Sequence, residues 1–186
     1  GGAMTLLSMI DADQGSSTGI EFQQVFSSDY DHYRVLGCFN IGSLSGQDIR
    51  FRWLNSSNTE QTVAQYYGCA SGFEKRSAAS GAFDYGEYGA DYSTIGSDVR
   101  GGSYYRKITL DMTLFPDAYA SNTYSNIQWQ IGYYKHNSGS ETAAFANGMN
   151  SYTQTADLSG GGIKLYLSAN NWDFVTCGLY GIKTVT

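Results

Sequence analysis

Apolar side chains recur at every second position over Ile163, Leu165 and Leu167, with Lys164 and Tyr166 between them. Successive side chains of an extended strand point to opposite faces, so a period of two predicts β-structure rather than helix. Ser168-Ala169-Asn170-Asn171 tolerates a reversal and Phe174 to Tyr180 reads as the returning strand, which together predict a C-terminal hairpin. The sharpest alternation lies upstream, where Ile49, Phe51 and Trp53 share one face and Arg50, Arg52 and Leu54 the other. Tyr33, Val35, Gly37, Phe39 and Ile41 form a stripe that predicts a strand buried on much of both faces. Ile108, Leu110, Met112 and Leu114 predict another, ended by Pro116. Ile127, Trp129 and Ile131 alternate with Gln128 and Gln130 before a turn at Asn137-Ser138-Gly139.

Other segments are less regular. Residues 4–10 read as a first strand or as an arm packed on a neighbour, and 20–26 as a strand. Residues 63–73 read as a strand, with their Ala content leaving a short helix open. Residues 141–152 read as a short strand at a sheet edge or a half-turn of helix. Residues 74–102 mix Gly, Ser, Ala, Asp and Tyr without a sustained period, which predicts an irregular insertion with one short strand at its centre. Seven to nine strands joined by polar turns predict an all-β protein: one antiparallel β-sandwich of jelly-roll type over 1–186, with a Tyr/Gly-rich central insertion. Periodicity says nothing about strand order.

Composition narrows the class. At 186 residues the chain suits one core. Only 15% of residues are charged, against 16 Tyr and 9 Phe, so Ser, Thr, Asn, Gln, Gly and Tyr must cover much of the surface. A net charge of −6 argues against a surface that tracks nucleic-acid phosphates; Arg34, Arg50 and Arg52 read as partners on strand faces, with a local basic patch as the alternative. No apolar run is long enough for a membrane-spanning helix. Gly1-Gly2-Ala3 before Met4 has the look of a cloning remnant, and the opening segment lacks the pattern of a signal peptide. Cys38, Cys69 and Cys177 have no metal-ligand spacing. Cys38 and Cys177 sit in apolar alternation, which favours buried thiols over metal ligands and leaves a disulfide between them open.

The best candidate recognition patch is Tyr85, Tyr88 and Tyr92, interleaved with Asp84, Glu87 and Asp91. Tyr offers large amphipathic area, and nearby carboxylates accept hydrogen bonds from sugar hydroxyls. The competing reading packs these rings onto the sandwich or a neighbouring subunit. Trp172, flanked by Asn170, Asn171 and Asp173, is the tryptophan expected to be exposed, to stack on a sugar or to dock into a subunit, whereas Trp53 and Trp129 belong to the core. Asp11, Asp13 and Gln14 precede Gly15 in an oxygen-rich segment that lacks the full calcium-loop spacing and reads as a solvated turn. Asp157 and Glu141 have no stronger claim. His32 and His136 fall in expected loops with no nucleophile and orienting acid arranged around them, and Gly160-Gly161-Gly162 reads as a turn. No catalytic constellation, cofactor motif or metal site is expected.

Several stretches resemble small virion proteins of tailed bacteriophages: "STGIEFQQVFSSDYDHYRVLGCFN", "IRFRWLNSSNT", "ITLDMTLFPDAYASNTYSNIQWQIGYY" and "GGIKLYLSANNWDFVTCGLYGIK". Leu179-Tyr180-Gly181-Ile182 is the most typical element, and the likeness spans about two thirds of the chain. Trp53 departs from the pattern, where Asn is common, as does the longer central insertion. The resemblance implies a non-enzymatic virion component, a head decoration or fibre protein, commonly trimeric, acting through contacts with itself and with capsid or tail subunits. A receptor- or carbohydrate-binding knob facing a host-surface glycan is the alternative.

Overall fold

The computed structural model describes residues 3–13, 19–42, 45–75, 80–101, 107–116, 124–137, 140–153, 158–169 and 172–184. In chain order the strands are β1 (Ala3–Asp13), β2 (Gly19–Phe22), β3 (His32–Ile41), β4 (Gln47–Leu54), β5 (Tyr66–Lys75), β6 (Ser80–Ala90), β7 (Ser93–Val99), β8 (Ile108–Phe115), β9 (Ser125–Asn137), β10 (Ser140–Tyr152), β11 (Gly162–Leu167) and β12 (Trp172–Lys183). All pairings between them are antiparallel.

Eight of these strands form two four-stranded sheets, β1-β12-β3-β8 and β2-β11-β4-β7. The chain passes from one sheet to the other at each step from β1 to β4, which is the winding of a jelly roll. Two hairpins are added to this frame. β9–β10 and β5–β6 extend the first sheet to the order β1-β12-β3-β8-β9-β10-β5-β6. Where β9 runs on past β8, Val99 pairs with Lys135 and the Arg100 amide donates to the Tyr134 carbonyl at 2.7 Å, joining the sheets along one side.

The core lies between the sheets and follows the alternation. Ile49, Phe51, Trp53, Ile163 and Leu165 face it from the short sheet. Tyr33, Val35, Phe39, Ile108, Leu110, Met112, Leu114, Ile127, Trp129 and Ile131 face it from the long one. Leu54 is also buried, although the alternation assigned it to the arginine face. Turn chemistry is equally local. Gly160 adopts φ +68°, and the Gly161 carbonyl accepts from the Val25 and Phe26 amides at 2.8 and 3.2 Å.

Four expectations are corrected. β11 and β12 are not a hairpin: β11 pairs with β2 and β4, and β12 with β1 and β3. Within residues 74–102, the described part is mostly regular strand, β6 and β7, rather than an irregular insertion. Along β6 the inward residues are Gly81, Phe83, Tyr85, Glu87 and Gly89, so a regular strand carries no long apolar stripe. Residues 140–152 form an interior 13-residue strand paired along both sides, neither an edge nor a helical turn. His32 and His136 lie in strands, with the His32 ring stacked on Phe115 at 5.6 Å.

The cysteines are all reduced. Cys177 faces the core, and burial pushes its thiol up to about 12. Cys38 pairs with Thr176, so it lies on the opposite face of the sheet from Cys177 and is only half-buried. Asp11 and Asp13 belong to β1, where Asp11 accepts from the Thr176 hydroxyl at 3.1 Å, while Gln14 to Ser17 and Asp157 lie outside the described residues.

Candidate functional site

The two outer faces of the sandwich differ in chemistry. On the short sheet, outward residues of β2, β4 and β11 form a ladder of ion pairs. Arg52 binds Glu60 at 2.6 Å and Asp91 at 2.5 Å, and Lys164 binds Glu60 at 2.6 Å and Glu21 at 3.0 Å. Arg50 lies 4.0 Å over the Tyr92 ring. Burial opposes ionisation of Glu60, but hydrogen bonds from Lys164 and Arg52 outweigh it and hold the carboxyl below its ordinary 4.5. A depressed folded-state value contributes stability that is present above 4.5 and is lost as pH falls through the folded value. Glu60→Gln is therefore expected to be less stable than the parent at pH 7. The gap between their denaturation midpoints should narrow as pH falls below 4.5 and through the lower folded-state value.

The long sheet's outer face carries few charges. β-Pairing aligns Asp84 of β6, Ser71 of β5, Asn147 of β10, Gln130 of β9 and Asp111 of β8 in one row across five strands. At about 4.8 Å per interstrand step the row runs about 19 Å, perpendicular to the strands. A second row beside it holds Cys69, Met149, Gln128, Thr113 and Arg34. Both rows line an open cleft of about 840 Å³. Its far wall belongs to the added hairpins and its near wall to the jelly-roll strands β3 and β8.

One bidentate pair fixes the near wall. Arg34 donates from Nε and Nη2 to the two Asp111 carboxylate oxygens at 2.8 and 2.6 Å. The Arg34 hydrogen bond holds the Asp111 carboxyl below its ordinary range. At the far wall the Asp84 carboxylate has no hydrogen-bond or ion-pair partner among the described residues. Phe145 and Phe73 stand opposite each other one row away, both exposed, and offer an apolar shelf beside the polar floor.

The predicted tyrosine patch does not assemble, because β6 is a regular strand and alternation divides it. Asp84 and Tyr88 point outward, Tyr88 being 93% exposed. Tyr85 and Glu87 point inward, where the Tyr85 hydroxyl donates to the Ile95 carbonyl and the Thr94 amide donates to Glu87, each at 2.7 Å. Burial raises Glu87 above its ordinary value, and the Thr94 hydrogen bonds offset only part of that. Asp91 and Tyr92 belong to the ion-paired face. Trp172 is fully buried against Phe39, with ring centroids 5.2 Å apart, so it is not an exposed stacking residue. Asn170 and Asn171 lie outside the described residues. Nor do the three arginines form a patch, since Arg34 is on one outer face and Arg50 and Arg52 on the other.

Of the predicted residues that lie among the described ones, only Asp84 lines the cleft. Ser71, Asn147, Gln130 and Asp111 were not singled out as site residues. Their one local sign is amide and hydroxyl side chains on strand faces where Lys and Glu are common.

No family model matches the chain. No curated protein matches it either. Among solved structures it is similar to one titled "Catalytic domain of PdAgaC", at 9% identity over 96% of this chain and 76% of that one. The TM-score is 0.24, a likeness that carries no argument.

Proposed function

We propose that this chain is a non-enzymatic receptor-binding module of a phage particle that holds an extended glycan in the cleft of its long sheet. The observation that carries this reading is the polar row from Asp84 to Asp111. Asn and Gln amides both donate and accept, matching sugar hydroxyls that do the same, and carboxylates add acceptors. Met149 and the Phe145–Phe73 shelf offer apolar area to the C–H faces of sugar rings. Glycan cleavage by two carboxylates is disfavoured by spacing. Asp84 and Asp111 are four strands apart, about 19 Å along the sheet, against the roughly 5–9.5 Å that acid and nucleophile or base require. The resemblance to virion proteins supplies the setting on a particle.

The test is binding of the full chain to an array of bacterial surface glycans, followed by calorimetry on the best ligand. Replacing Gln130 and Asn147 together by Ala removes two hydrogen-bonding groups worth about 0.5–1.5 kcal/mol each. Affinity is expected to fall by about 10–100-fold while the unfolding midpoint stays within error. Equal binding by the double variant, or no glycan bound by the parent, would overturn the reading.

The second reading is a purely structural virion protein, a head decoration or fibre component, and the edge of β1 that meets no strand among the described residues favours it. It predicts saturable binding to assembled capsids with no glycan requirement.

A further inference from the structure

The outward residues of β5 are Tyr67, Cys69, Ser71 and Phe73, so the strand sets an aromatic ring towards each end of its outer face. Each ring has an aromatic neighbour on the next strand. Phe73 stands opposite Phe145 of β10, and Tyr67 opposite Tyr88 of β6. Phe73 and Tyr88 are 71 and 93% exposed. Between the two pairs lie Cys69 and Ser71 on β5, Met149 and Asn147 on β10, and Gly86 and Asp84 on β6, all but Gly86 lining the cleft. Resting on the glycan reading above, we infer that the cleft is the middle of a longer trough along β5 with a stacking platform at each end. Its occupant is a straight, uncharged oligosaccharide that reaches both platforms, with Tyr67 and Tyr88 forming a subsite beyond the cleft.

The Tyr67 and Tyr88 ring centroids are 5.2 Å apart with an interplanar angle of 89°, the edge-to-face contact that aromatic pairs favour. Tyr67 thereby steadies Tyr88 in water, and a platform fixed before binding loses little entropy when a sugar lands on it. Six residues separate Tyr67 from Phe73, about 20 Å along an antiparallel strand. A sugar chain that touches both ends must run nearly straight over that length. Chains joined through equatorial bonds do so, and their rings carry C–H groups on both faces with hydroxyls along the edges. Such a chain meets aromatic rings at the ends of the trough. Between them it meets the Asn147 amide, the Ser71 hydroxyl and the Asp84 carboxylate.

Charge selects within that class. The cation that lines the cleft, Arg34, stands on β3 with its guanidinium held by both Asp111 oxygens. Asp84 therefore sets the sign of the strip between the platforms. An acidic glycan would meet this carboxylate without a counter-charge, on a chain of net charge −6. A second copy of the chain brings the same excess of acid and is a poorer match than a neutral sugar.

The test is titration calorimetry of the full chain with cello- and chito-oligosaccharides of two to six units. In at least one series, affinity is expected to rise with length and to level off once the chain spans both platforms. Tyr88→Ala and Phe73→Ala should each weaken hexasaccharide binding by about tenfold, the order for one lost aromatic contact, and flatten the dependence on length. Both positions are exposed, so the circular-dichroism spectrum should not change. Hexagalacturonate, an acidic chain, should not bind. An affinity independent of length, hexasaccharide binding untouched by either variant, or equal binding of hexagalacturonate would overturn the trough and leave the cleft reading standing on Gln130 and Asn147. Binding of neither series would overturn the trough too, and only a blank glycan array would take the cleft reading with it. Self-association weakened by Tyr88→Ala, with oligosaccharide binding intact, would mark the rings as a contact between copies and overturn the inference.

Discussion

Trp172→Ala is expected to lower folding stability by about 3–5 kcal/mol, the range for truncating a fully buried large aromatic. Its indole fills the core against Phe39, and little else at the start of β12 could collapse into the space. Urea or thermal denaturation checks the value, with Tyr88→Ala as the surface control, expected within about 0.5 kcal/mol. An exposed Trp172 acting as a sugar platform would give the opposite pattern: unchanged stability and lost binding. Parent-like stability for Trp172→Ala would therefore refute the packing described here. The reason alternation misplaces this residue is specific. Counting back from the buried Val175 puts Trp172 outside, but the pairing slips between Trp172 and Phe174, so Trp172 lies opposite the buried Ile41. Asp173 takes the extra position, where Asn40 donates to it at 3.3 Å. A bulge inverts the face on which a residue lies, and polar neighbours do not report it.

Gly148→Val is expected to cost about 2–3 kcal/mol, whereas Ala143→Val on the same strand should stay within about 0.5 kcal/mol. Ala143 is exposed on the outer face. A Cβ at Gly148 would run into the Trp129 ring and would stand 2.7 Å from the Ala70 Cβ. Neither neighbour can yield cheaply, because Trp129 is packed in the core and Ala70 is held by pairing on both sides. The same device recurs across the inner face of the added hairpins, where a Cβ at Gly72 would meet the Phe83 ring. Small residues on β5 and β10 let large rings from β6 and β9 lie flat over them. Comparable denaturation midpoints for the two Val variants would show that the inner face is not packed this way.

This packing explains what a reader of the sequence could and could not extract. The strands β3, β4, β8, β9 and β11 were legible because their inner faces meet a partner sheet and so must be apolar at every second position. Strands β5, β6 and β10 were not. The inward positions of β5 and β10 include Ala70, Gly72, Ala144, Ala146 and Gly148, with rings from β6 and β9 over Gly72 and Gly148, and β6 sets its inward Phe83 and Tyr85 between Gly81 and Glu87, so no long apolar stripe marks any of the three. Asp84 was found, but for a patch of consecutive residues that a strand's alternation pulls apart. Gln130 was visible as the polar side of an apolar stripe, with nothing local to distinguish it from ordinary solvent exposure.

Local chemistry along the chain determined the all-β class, the antiparallel sandwich, the buried stripes, the Gly160 turn and the absence of a helical period, since each depends on residues within a few positions of one another. Tertiary structure alone decided that β11 and β12 part into different sheets, that Trp172 turns inward, and that five polar residues from position 71 to position 147 fall into one row. Strand order and register set those outcomes. They arise from the summed packing of faces and loops far apart in sequence, for which no short stretch of residues carries a sign.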